Sequence, residues 1–377
     1  MIFDNNKILI TCAGGLEKAV KSELFRLGFG DVPADNCSFT VNGGISDVVY
    51  LAVNLRAADR VFIQLAEFSA NTFDEIFDGT HDIPFESFLP EDAKIIVDGR
   101  CVKSDVFAVS ATQSVVKKAI VKRLSEKYGL IRLPETGSEY KIEFRLFKNK
   151  CKILLNAVGA GLHKRGYRDK VWIAPIKETL AAALILYSDY YRKNLFCDPF
   201  CGSGTLAIEA AMIAKNIAPG INRAFDFLKW KGFDKKVYSQ VIEKAKESEF
   251  KENPNKIFAS DIDAKAVKLA ERHARNAGVL DLIDFNVKDV ADVKLYGKGT
   301  IVSNPPYGER VIGRDAAHLC YKSLGKILPK TWSAFIITSD FSFEKFFGKK
   351  ADRKRKLYNS EKECNLYYYY GKGEYND

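Results

Sequence analysis

Long apolar runs are missing from this 377-residue chain. No window approaches the roughly 20 consecutive apolar residues that a membrane span needs. The first ten residues, MIFDNNKILI, are not a charged start leading into the apolar stretch of a signal peptide. Both absences count against insertion and secretion, and imply a cytoplasmic protein. Dense cysteine spacing is missing as well. Cys12, Cys37, Cys101, Cys151, Cys197, Cys201, Cys320 and Cys364 are scattered, most of them inside apolar runs, which reads as reduced core thiols rather than a disulfide framework. Only Cys197 and Cys201 lie close together, without a second pair, and His81, His163, His273 and His318 are dispersed. No metal site is expected. Repeats and low-complexity tracts are absent apart from Tyr367 to Tyr370, which reads as a strand.

What is present is an ordinary folded composition, 47% hydrophobic and 28% charged, over a length that suggests two or three domains. The net charge of +10 is unevenly placed. Residues 1–99 carry −9, residues 100–160 carry +8 and residues 161–377 carry +11. A change of sign between segments implies a localised basic surface, as when one part of a protein docks on a polyanion.

Hydrophobic periodicity predicts strand, turn and helix over KILITC (7–12), Gly14-Gly15 and the helically spaced Leu16, Ala19, Val20, Leu24 and Leu27. A strand over 37–41, a helix over 45–55 and a strand over 60–68 complete a small α+β module of βαββ or βαβαβ kind. A second unit follows, with a strand over 94–98, a basic helix over 110–128 and a hairpin of 140–147 with 151–158. Lys117, Lys118, Lys122, Arg123 and Lys127 belong to that helix, where a solvated face would also account for them. The glycine- and base-rich stretch GAGLHKRGYRDK (159–170) marks a boundary. Beyond it a helix over 177–191 precedes alternating strands and helices, with strands near 195–198, 256–261, 282–287, 300–304 and 333–339. That alternation implies a mostly parallel sheet covered on both faces.

Three segments at predicted strand ends carry chemistry. The first is Asp198-Pro199-Phe200-Cys201-Gly202-Ser203-Gly204-Thr205, between a strand and a helix. Glycines there let a ligand approach backbone N–H groups at the positive helix end. No lysine follows as in a P-loop, and the three-glycine dinucleotide spacing is incomplete. The second is Asp261-Ile262-Asp263. An acid at the second strand's end accepts from ribose hydroxyls in Rossmann-like folds, though here it falls 57 residues after Gly204 rather than about 20, so an insertion spans roughly 216–255. Asp261 is taken for the ligand and Asp263 for the N-cap of the next helix. Asp289, after the following strand, is placed to accept from an adenine amino group. The third is Asn304-Pro305-Pro306-Tyr307. A planar amino group could donate to the Asn304 side-chain oxygen and the Pro305 carbonyl while Tyr307 stacks on the ring. Orienting such a nitrogen favours attack on a methyl sulfonium without a strong base.

With DPFCGSGT, SDID and NPPYGER in that order, residues 161–377 resemble a class I S-adenosylmethionine-dependent methyltransferase of the exocyclic-amino type. With LHKRGYR (162–168) and KETLAAALI (177–185), the whole chain resembles the THUMP-domain RNA methyltransferases, in particular the bacterial branch that makes N2-methylguanine in 23S rRNA. The resemblance implies an α/β fold in three parts: a ferredoxin-like domain (1–65), a THUMP RNA-binding domain (66–158) and a Rossmann-like methyltransferase domain (159–377). It implies S-adenosyl-L-methionine as cofactor, held by Thr179, Asp198, Phe200, Gly202, Ser203, Gly204, Asp261 and Asp289, and a target-amino clamp of Asn304, Pro305, Pro306 and Tyr307. Members of this branch in some bacteria carry a second methyltransferase domain, and only the N2-type half is represented here.

RNA is the expected partner, since phosphate neutralisation dominates affinity and looped bases are read by stacking. The +8 segment over residues 100–160, Lys164-Arg165-Arg168-Lys170 and the cluster Lys349-Lys350-Arg353-Lys354-Arg355-Lys356 are candidate phosphate contacts, and the target base would be extruded into the pocket. Alternatives are a tRNA guanine-N2 substrate and DNA adenine-N6, because the clamp accepts any planar amino group. A rival of another class is a non-catalytic RNA-binding or ribosome assembly factor, against which the intact clamp and glycine loop count.

Overall fold

The computed structural model describes residues 5–170, 175–308 and 313–372; Glu309 and Arg310 of the NPPYGER segment lie outside the described residues. The chain opens with β1 (Asn6–Thr11), α1 (Glu17–Arg26), β2 (Ser38–Gly43), α2 (Ile45–Asn54) and β3 (Arg60–Ser69), the βαβαβ form of the two expected. It continues through α3 (Phe73–His81), β4 (Lys94–Val102), α4 (Val109–Tyr128), β5 (Glu139–Phe147) and β6 (Lys150–Asn156). Lys148 and Asn149 make the turn between β5 and β6, both at positive φ. Periodicity suggested two separate units, but the strands form one six-stranded sheet in the order β2-β1-β3-β6-β5-β4. The join is an antiparallel pairing of β3 with β6 from Phe62↔Asn156 to Ser69↔Lys150, with a bulge between Gln64 and Ala66. Val61, Phe62 and Ile63 are buried in succession, as a strand covered on both faces requires.

The second half runs through α5 (Glu178–Tyr187), β7 (Leu195–Asp198), α6 (Thr205–Lys215), α7 (Lys235–Glu247), β8 (Ile257–Asp261), α8 (Ala264–Asn276) and β9 (Ile283–Val287). It finishes with β10 (Gly299–Ser303), α9 (Arg314–Ile327), β11 (Trp332–Thr338), α10 (Phe343–Phe347), β12 (Arg353–Asn359) and β13 (Lys362–Tyr369). The helix expected to reach residue 191 stops at Tyr187, where the Ser188 hydroxyl donates to the Ile185 carbonyl and accepts from the Tyr190 N–H. Seven strands form a sheet ordered β12-β13-β11-β10-β7-β8-β9. The pairs from β9 to β11 are parallel, and β13 runs antiparallel to both its neighbours. Strand order reverses between β7 and β10, and such a switch point opens a crevice at the strands' carboxyl ends. Both faces of β13 are covered, Tyr368 packing into one core and Tyr367 and Tyr369 into the other, so all three tyrosines are buried.

Residues 216–255 are a docking element. Gly220 donates its N–H to the Val53 carbonyl at 2.9 Å, and Phe227 donates to that of Ala157 at 3.1 Å. A Cβ on Gly220 would come within 2.7 Å of Val53 Cα. Trp230 stacks on Tyr140 with centroids 5.9 Å apart, and Lys141 pairs with Asp226 at 2.8 Å. The excess chain between the glycine loop and β8 thus holds the N-terminal sheet against the C-terminal half.

Candidate active site

A cavity of about 750 Å³ opens at the switch point, lined by the ends of β7, β8, β9 and β10, by α9 and by the β12–β13 turn. That volume is within the range of small-molecule sites. Asp198, Phe200, Gly202, Ser203, Asp261, Asp289, Asn304, Pro305, Pro306 and Tyr307 all line it, whereas Thr179 and Gly204 do not.

The glycine loop leaves β7 at Asp198, which is almost wholly buried. One of its oxygens accepts from the Ser303 hydroxyl at 2.6 Å and from the Phe200 N–H at 3.2 Å. Burial pushes this carboxyl up to about 7, against the opposing pull of those two hydrogen bonds. The two glycines differ. Gly202, at φ +50, has no heavy atom within 4 Å of where a Cβ would sit, so its backbone faces open space. Gly204, at φ +85, sits against α8, where a Cβ would come 2.8 Å from that of Ala270. Thr179 is buried within α5.

Asp261 closes β8 and is tied to the loop, since its Oδ2 accepts from Gly202 N–H at 2.9 Å and its Oδ1 from Asp263 N–H at 3.0 Å. Asp263 caps α8 by accepting from Lys265 N–H, as its position predicts. Asp289 follows β9 and accepts from Ala291 N–H at 2.8 Å. His273, buried in α8, bonds the Ser203 carbonyl through Nδ1 at 3.1 Å and so braces the loop from behind. Burial lowers its pKa, and because a carbonyl oxygen only accepts, Nδ1 carries the hydrogen of this bond.

The Asn304–Tyr307 segment leaves β10 beside the glycine loop. Tyr307 donates to Asn304 Oδ1 at 2.5 Å, and its own oxygen faces Asn359 Nδ2 at 3.4 Å and Cys364 Sγ at 4.0 Å. Burial raises the Tyr307 phenol far above its ordinary pKa. The Pro306 carbonyl accepts from the Tyr321 hydroxyl at 2.8 Å, while among the described residues none donates to the Pro305 carbonyl. Sequence reasoning missed Lys288, Cys320 and the turn residues Asn359, Ser360, Glu361 and Lys362. An Asn-Ser pair between two strand-like runs signals a turn, and Ser360 does take φ +59, but no local pattern places that turn over the cavity.

Several expected phosphate contacts are otherwise engaged. Arg165 is buried, paired with Glu209 at 3.3 Å and donating to the Leu162 and Arg56 carbonyls. Arg168 bonds Thr205 Oγ1 at 2.6 Å and pairs with Glu178 at 3.4 Å. Arg165 thus reaches across to the N-terminal domain through Arg56 and Arg168 braces the methyltransferase domain internally, and only Lys164 and Lys170 of that group are exposed. On α4, Lys117 pairs with Glu135 and Arg123 with Glu86; among the described residues Lys118 and Lys127 have no carboxylate partner. Arg355 stacks on Tyr187 at 4.4 Å, whereas Lys349, Lys350 and Arg353 stay exposed.

Among the described residues no helix is long and apolar enough to cross a membrane, and no group of three or more histidine, cysteine or acidic side chains could hold a metal.

Family models match along most of the chain. They are an RlmL ferredoxin-like domain over residues 7–62, a THUMP domain over 70–156 and an RMKL-like methyltransferase domain over 165–368. YpsC of Bacillus subtilis, provisionally named an RNA methyltransferase, is 42% identical over 97% of this chain and 96% of its own. The ribosomal RNA large subunit methyltransferase K/L of Shewanella baltica is 30% identical over 94% of this chain, which spans 52% of that protein's length. Among solved structures, SMU.472, provisionally named a methyltransferase and complexed with SAH, is 39% identical at a TM-score of 0.92, over 98% of this chain and 99% of its own. A Listeria monocytogenes protein described as a predicted N6-adenine-specific DNA methylase is 42% identical at 0.93, over 98% and 97%.

Proposed function

The chain belongs to the family of RMKL-like methyltransferases that carry a ferredoxin-like and a THUMP domain ahead of the catalytic one. On that premise we propose that it is an S-adenosylmethionine-dependent RNA methyltransferase acting on guanine N2 in 23S rRNA. The observation that carries the reading is the 2.6 Å bond from Ser303 to Asp198, which ties the strand before the amino clamp to the acid of the glycine loop, within one cavity.

The residues fit the cofactor. Open space above Gly202 lets a ligand approach the loop backbone there. Asp198, buried and, among the described residues, bonded to one hydroxyl and one N–H, suits an ammonium group. Asp261 retains lone pairs for ribose hydroxyls, Asp289 for the adenine amino group, and Phe200 and Ser203 complete the wall. Thr179 and Gly204, off the lining, would shape the site rather than touch the ligand. Bound there, S-adenosylmethionine supplies a methyl group made electrophilic by its sulfonium.

This chain's residues orient the acceptor. Asn304 Oδ1 and the Pro305 carbonyl would take the two amino hydrogens, aiming the nitrogen lone pair at the cofactor subsite, and the Tyr307 ring would support the base. The amine becomes acidic only once the new C–N bond forms, so its surplus proton leaves to water without a strong base. The THUMP region, with the exposed lysines of α4, would grip structured RNA.

The test is transfer of labelled methyl to RNA from cells lacking the protein, followed by identification of the methylated nucleoside. N2-methylguanine in 23S rRNA is expected, with loss of at least about a hundredfold in rate for Asn304→Ala and SAH binding retained. Methyladenine in DNA, or N2-methylguanine in tRNA alone, would overturn the substrate assignment.

A further inference from the structure

We propose that Asn359, at the end of β12, is a positioning residue of the base subsite. It directs the Tyr307 hydroxyl hydrogen onto Asn304 and thereby locks the Asn304 amide in the orientation that accepts from an exocyclic amine. The inference rests on the amino-methylation reading above and adds to it a residue from the far edge of the sheet.

A phenol has one hydrogen to give and lone pairs to receive with. Around the Tyr307 oxygen, Asn304 Oδ1 lies at 2.5 Å and can only accept, while Asn359 Nδ2 at 3.4 Å can only donate. Cys364 Sγ, at 4.0 Å, is a weaker neighbour whose single hydrogen also has the Lys362 carbonyl within reach at 3.7 Å. The polarity of the chain is therefore fixed: Asn359 donates to Tyr307, and Tyr307 donates to Asn304. Burial holds the phenol protonated, so that hydrogen is always present.

An asparagine amide rotated by half a turn presents N–H groups where its oxygen was, and would repel an amine. Here such a flip would bring two amide donors onto one phenol oxygen and leave the phenol hydrogen without its acceptor. The flip is thus opposed from the β12–β13 turn, and one Oδ1 lone pair stays free for the substrate. Asn304, Tyr307 and Asn359 all line the cavity, so the turn that carries Asn359 is a wall of the base subsite.

The test compares Asn359→Ala, Asn359→Asp, Tyr307→Phe and the double variant Tyr307→Phe/Asn359→Ala in the full chain, using RNA from cells lacking the protein. Asn359→Ala should lower kcat about tenfold, leaving SAH affinity and melting temperature near wild type. In the Tyr307→Phe background the same change should cost no more than about twofold. Asn359→Asp, isosteric but an acceptor, should draw the phenol hydrogen away from Asn304 and fall below Asn359→Ala. Equal penalties in both backgrounds, or Asn359→Asp as active as wild type, would overturn the proposal while the function stands. Absence of methyl transfer by the wild-type chain would overturn the function, and this proposal with it.

Discussion

Asp198 is held by Ser303 and Phe200 yet buried deeply enough that its carboxyl titrates near 7 rather than 3.8. The native state therefore binds this proton more tightly than the unfolded chain, and stability falls as pH rises from about 4 to about 7. A shift of that size corresponds to something on the order of 4 kcal/mol. Ionised Asp198 is the form that would pair with a cofactor ammonium, so SAH affinity in calorimetry should weaken as pH falls through 7, and Asp198→Asn should bind weakly with a flat profile. The two loop glycines should part company. Gly204→Ala meets Ala270 at 2.8 Å and should lower the melting temperature. Gly202→Ala has room for its Cβ on the protein side but must hold φ +50, a left-handed backbone that costs an alanine about 1–2 kcal/mol, and it should bind SAH poorly. Glycine spacing in the sequence pointed to both without separating them, because only packing against α8 tells a structural glycine from a ligand-facing one.

At the scale of elements, α4 shows how far a run of basic residues can be read from sequence. Lys117 and Arg123 are spent on Glu135 and Glu86, partners distant in sequence, and Lys122 lies 3.8 Å from Glu126. Lys118→Glu should therefore weaken RNA binding and lower the slope of log affinity against log salt by about one unit, leaving SAH affinity intact. Arg123→Glu should instead destabilise the THUMP region; a salt titration and a melting curve on each variant distinguish the two. The β12–β13 hairpin makes the same point for the active site. Its second strand was readable from the tyrosine run, whereas β12 lay hidden in a basic cluster, and the hairpin's place over the cavity follows from β13 inserting beside β11, a pairing no local signal specifies.

Across the whole molecule, two halves are joined by a polar cluster around Arg165, which sequence alone offered as a phosphate contact. Arg165 and Glu209 are both buried and bond each other, the Arg56 carbonyl and Tyr167. Glu209→Ala would strand a buried guanidinium and should cost about 3–5 kcal/mol in denaturant unfolding, far more than removal of an exposed lysine such as Lys164.

The sequence by itself determined the strand-end segments, the Asp263 cap, the alternation that makes the second sheet mostly parallel and the acidic-to-basic change along the chain. Each of these is written within a dozen or so neighbouring residues, where backbone preference and periodicity act. Only the tertiary structure decided that β3 and β6 merge two modules into one sheet, that residues 216–255 clasp the halves, that Arg165 turns inward and that Asn359 reaches Tyr307. Those outcomes depend on contacts between segments far apart in the chain, whose energies come from burial and hydrogen bonding that exist only once the segments have met.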